Sequence, residues 1–333
     1  MKPKRRIIPV FVPHLGCPNN CVFCNQRRIS GQTAPATGNT VYAAVESAVP
    51  EGDASDWELA FYGGSFTAIP VEAQSELLGA AGDFVRRGGV IRLSTRPDCI
   101  DGEILDRLKA AGVKTIELGC QSMDEEVLCL SGRGHTAKAA ENSARLIKER
   151  GFDLILQMMT GLPGDTREKA EYTARALAAL NPVGVRIYPT VIVRDTPLYD
   201  MWRAEEYREH TVSQAVEWCA GVVPIFEGAG IPVIRLGLNP TEELSCVSAA
   251  GGAYHPAFGE LVYSKIFLNR ALALPEMENA PEEVTFLVNP GCVSFMAGHK
   301  RCNIAYLREK CGINRVKIKQ SPEIKRGEVY IEH

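Results

Sequence analysis

The chain has 333 residues, which at roughly 150 residues per domain predicts about two domains, or one large barrel with an appendage. Hydrophobic residues make up 45% and charged residues 23%, values typical of a globular protein and not of a disordered or fibrous one. The 37 Lys and Arg nearly balance the 40 Asp and Glu, so the net charge of −3 excludes a global attraction to nucleic acid or to an anionic membrane.

The sequence also bears on the compartment in which the protein works. No run of residues approaches the roughly 18 apolar residues that a membrane span needs, and the start of the chain lacks the apolar region and cleavage site of a secretory signal. We therefore expect a cytoplasmic protein with no membrane partner. Of the 11 cysteines only Cys17, Cys21 and Cys24 lie close together, which favours metal binding over a disulfide scaffold.

Short apolar, β-branched segments alternate with helical periodicity along the first part of the chain. The predicted strands are 7–12, 58–62, 90–94, 115–119, 154–158 and 185–190, and the predicted helices are 41–49, 71–87, 101–111, 136–149 and 165–180. Such alternation is typical of a parallel sheet covered by helices, and six units are fewer than a closed barrel contains. The predicted fold class is therefore α/β, a partial (β/α)6 TIM-like barrel.

The rest of the chain predicts a helical cap and a small terminal unit. A helical stretch, 198–226, is expected to cap the open edge of the barrel, and the composition changes near Pro240. Beyond it we predict a helix at 260–274 and a linker at 274–281. A unit follows that consists of a helix at 299–310 and three strands at 284–288, 315–319 and 328–332. We assign residues 1–240 to the capped barrel and residues 241–333 to a C-terminal α/β unit of unknown role.

The cysteine cluster is the strongest chemical signal in the sequence. Cys17, Cys21 and Cys24 fall within eight residues, directly after the first predicted strand, where barrel enzymes place their chemistry. Three thiolates holding four irons leave one iron open for a ligand that is not protein. The alternative is a zinc site completed by a fourth ligand such as His14, because structural zinc normally has four protein ligands.

This three-cysteine spacing, with Phe23 before the last cysteine, resembles the signature of the radical SAM enzymes. The resemblance implies a [4Fe-4S] cluster on Cys17, Cys21 and Cys24 whose open iron chelates S-adenosylmethionine. Cleavage of that cofactor would give a 5′-deoxyadenosyl radical. The resemblance also implies an electron donor protein of flavodoxin or ferredoxin type as a partner.

Further motifs follow at successive predicted strand ends, and the resemblance gives their residues cofactor-binding roles. The glycine pair Gly63 and Gly64, followed by Ser65, ends the second strand, where the family binds the methionine amino group. The other implied ligands are Ser94 after the third strand, Gln121 for ribose after the fourth, Arg133 for the carboxylate, and Gln157 on the fifth. For each of these polar residues a cap or a surface contact is the alternative role. His14 and Asn25 flank the cysteines and are expected to support the cluster.

These motifs are most similar to the catalytic subunit of the Elongator complex, a branch that also resembles the coproporphyrinogen-oxidase-like enzymes. The motifs in question are Gly-Gly-Ser-Phe, Thr-Arg-Pro-Asp, Glu-Leu-Gly-x-Gln-Ser, Arg-Gly-His-Thr, Gly-Leu-Pro-Gly and Arg186-x-Tyr188-Pro-Thr, within residues 7–240. The coenzyme A loop of the acetyltransferase domain found in that subunit has no counterpart here. Arg186 and Tyr188 are candidates for substrate contacts, with a packed core tyrosine as the alternative.

We predict a radical SAM enzyme acting on an unidentified substrate. The alternatives are a tRNA wobble-uridine modification enzyme and a non-catalytic, metal-stapled RNA-binding module. From Lys300 onward the chain contains nine Lys or Arg and four Glu. We therefore also hypothesise weak, salt-sensitive RNA binding by this region, with an ordinary solvated surface as the alternative. The remaining cysteines of the terminal region, Cys246, Cys292, Cys302 and Cys311, are widely spaced and are interpreted as scattered buried thiols.

Overall fold

A computed structural model gives the fold of the chain. It describes residues 5–12, 21–25, 35–49, 51–238, 249–278 and 281–332. Cys17, His14 and Cys246 therefore lie outside the described residues, as does the start of the C-terminal unit that the sequence places at 241. The described residues divide into two compact units, one of Met1–Thr211 with Ile225–Tyr254 and the other of Val212–Pro224 with His255–His333.

The first unit is built on a seven-stranded parallel sheet in the order β1-β2-β3-β4-β5-β6-β8. Its strands are β1 Arg6–Val12, β2 Trp57–Gly63, β3 Val90–Thr95, β4 Val113–Gln121, β5 Asp153–Thr160, β6 Gly184–Pro189 and β8 Val233–Leu236. A short antiparallel pair, β7 Val191–Val193 and β9 Ala249–Gly252, accompanies it. The α/β half-barrel predicted from the sequence is confirmed, and the sheet contains one strand more than the six predicted.

Helices connect the strands and cover the outer face of this sheet. They are Gly38–Ala48, Val71–Ala80, Gly82–Arg86, Gly102–Ala110, Glu125–Leu130, Ala137–Glu149, Arg167–Ala179 and Pro197–Arg203, with Val212–Gly228 shared between the units. Several begin with a side-chain cap, as where Asp101 accepts from the Ile104 amide. The predicted helix 71–87 is divided at Ala81, and the predicted helical stretch 198–226 is divided between two helices.

Side-chain alternation on the strands separates an apolar outer face from a polar inner one. Leu59, Phe61, Ile91 and Leu93 are fully buried against the helices, since successive strand residues point to opposite faces. Their neighbours on the other face include Glu58, Tyr62 and Arg92, which are expensive to bury unless they are paired. The inner face is therefore where the polar chemistry of this unit is concentrated.

The second unit contains a three-stranded sheet in the order β11-β10-β12. It consists of β10 Glu283–Val288, β11 Arg315–Gln320 and β12 Val329–Ile331, with β10 parallel to β11 and antiparallel to β12. Helices Phe258–Leu272, Val293–Ala297 and Cys302–Glu309 accompany it. One apolar cluster, including Phe267, Phe286, Met296 and Leu307, forms its core.

Among the helices of the described residues, none is long and apolar enough to cross a membrane. Of the scattered cysteines, Cys292 is buried and Cys311 is half-buried, but Cys302 is exposed at the start of its helix, so the interpretation as a buried thiol is wrong for Cys302.

The close approach of strand β1 to Gly63 predicts how a substitution there changes the stability of the first unit. The φ of Gly63 is +111°, and a Cβ there would lie 2.5 Å from the Val12 carbonyl oxygen, so Gly63→Ala must strain or separate strands β1 and β2. We expect a loss of about 1–3 kcal/mol of unfolding free energy, measured by urea denaturation.

Gly79→Ala is the matched control for this substitution. Gly79 lies in an exposed helical position where a Cβ would meet nothing within 4 Å. This variant should be stabilised by about 0.4–1 kcal/mol. Equal effects of the two substitutions would contradict the close approach of β1 to Gly63.

Candidate active site at the strand ends

Cys21 is buried at the centre of a polar cluster that three strand ends supply. Its Sγ accepts hydrogen bonds from Arg133 Nη1 at 3.1 Å and from Arg96 Nη1 at 3.5 Å. The backbone there is fixed as well, because the Val22 amide donates to the Ser131 carbonyl and the Val22 carbonyl accepts from Leu198. The fold thus brings a loop after β1 against the residues that follow β3 and β4.

Arg133 is almost fully buried and each of its nitrogens has a partner. Beside the bond to Cys21, Nη2 donates to the Gly119 carbonyl at 2.5 Å and Nε donates to His135 Nε2 at 3.3 Å. His135 is held neutral, because burial first and the Arg133 charge second lower its pKa to about 4. Arg133, which the resemblance implies as a carboxylate ligand, lies in the structure against the sulfur of Cys21.

Arg96 is a second cation beside this sulfur, and its guanidinium is held in place from the other side. Asp98 accepts from Nε at 2.9 Å and from Nη2 at 3.1 Å, a bidentate pair, and Nη2 also donates to the Arg133 carbonyl. The Arg96 amide donates to Ser65 Oγ at 3.3 Å, and Ser65 Oγ lies 2.9 Å from Thr95 Oγ1. Ser65, at the end of β2, is thereby connected to the Cys21 cluster.

The glycine pair after β2 is held against strand β1. The Gly64 amide donates to the Val12 carbonyl at 3.0 Å, and the space beside Gly63 is filled by the same carbonyl oxygen. Glycine is required here for the close approach of two strands. The structure thus gives this pair a packing role at the position where the sequence analysis expects a ligand.

Gln121 is the last residue of β4, and one polar atom of its side chain has no hydrogen-bond partner among the described residues. Its φ is +67°, an uncommon conformation for a residue with a side chain, and the atom concerned, Oε1, is buried. A buried carbonyl oxygen without a donor is costly. The arrangement therefore favours an external hydroxyl or N–H group at this position.

A second network fills the inner face of the sheet around Glu117, which is fully buried. Oε1 accepts from Arg92 at 2.9 Å and from Arg186 at 2.8 Å, while Oε2 accepts from Gln157 at 2.9 Å. Burial opposes the charge of Arg186, but the Glu117 carboxylate outweighs it, so the pKa of Arg186 is raised. Gln157, an implied ribose ligand, is in this structure a partner of Glu117.

The same network extends to the neighbouring strands. Arg92 Nη2 also donates to Glu58 at 2.6 Å, and Arg186 Nη2 donates to the Tyr62 hydroxyl at 3.3 Å. Burial, followed by the charge of Glu117, raises the pKa of Tyr62. Ser94, on β3, is half-buried and in register with Glu117. Arg186, a candidate for a substrate contact, is in this structure a partner of Glu117.

Glu58, Arg92 and Glu117 were not predicted as site residues from the sequence, and Arg96 was given no role. The first three could have been recognised from the sequence pattern. Each is a charged residue inside an otherwise apolar strand, as in Ile116-Glu117-Leu118, so period-two alternation would have placed all three on one face. Among the described residues no group of three His, Cys, Asp or Glu side chains could hold a metal, and Cys21 and Cys24 are the two described members of the cysteine motif.

Comparison with known families decides the class of this site. The model of the radical SAM superfamily matches residues 11–177, about half of the chain, and the model of the radical SAM C-terminal domain matches residues 182–267. The chain belongs to the radical SAM superfamily. It is a radical SAM enzyme whose family implies S-adenosylmethionine and an iron–sulfur cluster.

Individual relatives agree with this assignment. Elongator complex protein 3 of Mus musculus is 30% identical over 182 residues, 53% of this chain and 32% of that protein. An uncharacterized protein of Methanocaldococcus jannaschii is 31% identical over 60% of this chain and 66% of its own length. The chain thus spans about a third of the length of the Elongator relatives it matches.

Solved structures show the same fold at low sequence identity. The archaeal Methanocaldococcus infernus Elp3 superposes with a TM-score of 0.61 at 20% identity, covering 79% of this chain and 63% of that one. Coproporphyrinogen III oxidase (HemN) of Escherichia coli gives a TM-score of 0.50 at 18% identity, covering 68% and 54%. The half-barrel is therefore common to this radical SAM enzyme and to those proteins.

Glu117→Gln tests the inner-face network of this radical SAM enzyme. The substitution removes the negative charge between Arg92 and Arg186 while keeping the shape of the side chain. Breaking one partner of a buried pair costs roughly 3–5 kcal/mol, so we expect a loss of that size in the unfolding free energy measured with urea.

Glu149→Gln provides the matched control, because Glu149 forms an exposed pair with Arg145 one helical turn away. Its cost should be about 0.3–0.5 kcal/mol, as for other exposed pairs of this spacing. A cost for Glu117→Gln as small as that of the control would contradict the buried network.

Proposed function

We propose that this radical SAM enzyme holds a [4Fe-4S] cluster on Cys17, Cys21 and Cys24 and cleaves S-adenosylmethionine reductively to begin hydrogen abstraction from a substrate. The observation that carries the proposal is the pair of guanidinium groups on the sulfur of Cys21. When bound, the cluster supplies the electron for this cleavage and S-adenosylmethionine supplies the 5′-deoxyadenosyl radical. An electron donor of flavodoxin or ferredoxin type would reduce the cluster.

The described residues suit such a cluster. A ligating thiolate carries negative charge, and the positive charges of Arg133 and Arg96 lie directly against the Cys21 sulfur. Hydrogen bonds to cluster sulfurs are among the means by which proteins set the reduction potential. We therefore assign Arg133 and Arg96 to holding Cys21 in place and compensating its charge.

Gln121 supports the cofactor assignment independently of the thiols. Its buried Oε1 has no donor among the described residues, so a ribose hydroxyl of S-adenosylmethionine would satisfy it. Ser65 and Ser94 lie at the ends of the adjoining strands and would serve the methionine part together with Gly63 and Gly64. Gln157 reaches the cofactor in this proposal only by giving up its bond to Glu117.

The inner-face network would then form the floor of the substrate cavity. Glu117, Arg92 and Arg186 satisfy one another, and the Tyr62 hydroxyl accepts from Arg186. The Nε atoms of Arg92 and Arg186 are buried without partners among the described residues. Each of these N–H groups would donate to an acceptor atom of the substrate.

Modification of tRNA at the wobble uridine is a second candidate. It is favoured by the 30% identity to Elongator complex protein 3 over 53% of the chain. The two functions are separated by offering tRNA to the reduced enzyme and measuring whether it accelerates formation of 5′-deoxyadenosine. Acceleration by tRNA lacking the wobble uridine as strong as that by intact tRNA would exclude this second candidate.

The cluster assignment predicts about four irons per chain after anaerobic purification, measured by iron analysis and by the brown absorbance of the cluster. Cys21→Ala and Cys24→Ala should each abolish both signals, because each removes a thiolate ligand. Cys129→Ala replaces an exposed thiol elsewhere and should retain them. Stoichiometric zinc in the anaerobically prepared wild-type protein would overturn the proposal.

The cofactor assignment predicts that Gln121→Ala keeps the iron content but binds S-adenosylmethionine more weakly. Loss of a neutral hydrogen bond costs about 1–2 kcal/mol, roughly a fivefold to thirtyfold increase in Kd. Isothermal titration of the reconstituted protein measures this change. Gln320→Ala, the same change at an exposed position of the C-terminal unit, should bind as wild type does, and equal affinities of all three proteins would refute the placement of ribose at Gln121.

A further inference from the structure

The elements of the C-terminal unit beyond residue 267 lie outside both family models, since neither model extends further. Strand β10 is followed by the helix Val293–Ala297, a short loop, the helix Cys302–Glu309 and strand β11, which pairs parallel to β10. Two helices joined by a tight glycine loop between two strands is the arrangement of KH modules. In those modules the loop holds the backbone of about four nucleotides.

The loop itself, Gly298 to Arg301, is tightly constrained. Gly298 has a φ of +81°, and a Cβ there would lie 2.7 Å from the amide nitrogen of Asn303. The buried Asn303 carboxamide donates to the carbonyls of Phe295 and Met296, which ties the end of the first helix to the start of the second. The loop departs from a Gly-x-x-Gly sequence in its last residue, Arg301, whose φ of +63° is nevertheless one that glycine favours.

Positive charge is exposed in this loop. Lys300 and Arg301 are both exposed, and neither forms an ion pair with any described residue. The Nδ1 atom of His299 lies 3.8 Å from a carboxylate oxygen of Glu260. The loop therefore presents two uncompensated cations on a fixed backbone.

More cations lie at the same end of the sheet. The helix after the loop returns the chain from the carboxyl end of β10 to the start of β11, so the loop lies near the carboxyl ends of both strands. The segment after β11 begins there too, because the Ser321 amide donates to Val288 and Asn289 donates to the Ile324 carbonyl. Lys325 and Arg326 in this segment are exposed and without ion pairs among the described residues.

Two cations of strand β11 are paired with acidic residues. Glu332 pairs with Lys319 at 2.7 Å, and Glu283 lies 3.8 Å from Arg315. Glu323 is exposed in the segment after β11, Glu328 is half-buried two residues beyond Arg326, and these two acids oppose Lys325 and Arg326. Lys300, Arg301, Lys325 and Arg326, which we call the basic end, thus retain an excess of positive charge.

An exposed aromatic ring lies beside the basic end. Tyr330 is 49% exposed on β12, opposite Leu287 near the carboxyl end of β10, and its hydroxyl donates to Glu328 at 3.3 Å. Aromatic rings on a sheet surface next to cations are typical platforms for unpaired bases. A paired base in a duplex has no free face to stack there, so the combination favours a single strand.

We propose that the basic end, together with Tyr330, binds single-stranded RNA. Lys300, Arg301, Lys325 and Arg326 contact the phosphates, and Tyr330 stacks against a base. Phosphate contacts of this kind give affinity and orientation with little sequence preference. The site is independent of the cluster and of S-adenosylmethionine, so it stands or falls separately from the function proposed above.

The test measures binding of a fluorescently labelled 12-nucleotide single-stranded RNA to the full-length protein by fluorescence anisotropy at several salt concentrations. For single strands the slope of log K against log salt is about −0.7 for each phosphate contacted. Four contacts therefore predict a slope of roughly −3 for the wild-type protein. The double variant Lys300→Glu with Arg301→Glu should bind at least tenfold more weakly and show a slope shallower by roughly 1.4.

The matched control is the double variant Arg308→Glu with Lys310→Glu. It makes the same change of charge at exposed residues near the opposite end of the helix that follows the loop. It should bind within threefold of wild type, and circular dichroism checks that both variants are folded. Tyr330→Ala should weaken binding about fivefold to tenfold while leaving the salt slope unchanged, because stacking releases no counterions.

Three outcomes would overturn the proposal. The first is no binding of single-stranded RNA at low salt. The second is an equal loss of affinity in the loop variant and in the control variant, which would show a general response to charge. The third is binding of duplex RNA or of heparin as tightly as the single strand, which would show a surface that responds to any polyanion.

Discussion

The fully buried carboxylate of Glu117 is the constraint on which the inner face of the sheet depends. It pairs with Arg92 from β3 and Arg186 from β6 and accepts from Gln157 on β5, so one acid on β4 connects strands on both of its sides. Glu58 pairs with Arg92 and supplies the second negative charge. The guanidinium groups would be prohibitively expensive to bury without these carboxylates. The network thus gives the half-barrel a polar interior of paired charges, in which the buried Nε atoms of Arg92 and Arg186 have no partner among the described residues.

The two arginines beside Cys21 belong to a different layer, at the carboxyl ends of the strands. Arg96 is oriented by Asp98, and Arg133 is oriented by the Gly119 carbonyl and by a neutral His135. Each cation has a partner that fixes its direction, so both present N–H groups to the sulfur. The charge is thus balanced on the inner face of the sheet and positive beside the sulfur of Cys21.

Much of this architecture could be predicted from the sequence, for reasons that differ between elements. Strands such as Leu154-Ile155-Leu156 are apolar on both faces, which marks a sheet covered by helices. Val233–Leu236 was missed because four residues after a proline carry little periodicity. The contact of Arg133 with Cys21 joins residues 112 positions apart, and no local pattern encodes such a pairing. Gly63 was recognised as a special position, but its reason, the Val12 carbonyl, is a tertiary one.

The loop of the C-terminal unit places side chains where glycine would be cheaper. Lys300 and Arg301 both have a left-handed backbone conformation, which costs a residue with a Cβ roughly 1–2 kcal/mol. Glycine at either position would make the unit more resistant to heat and less positively charged at once. Any effort to stabilise this protein by relieving backbone strain would therefore reach this loop early, and thermal stability and charge would have to be chosen against each other there.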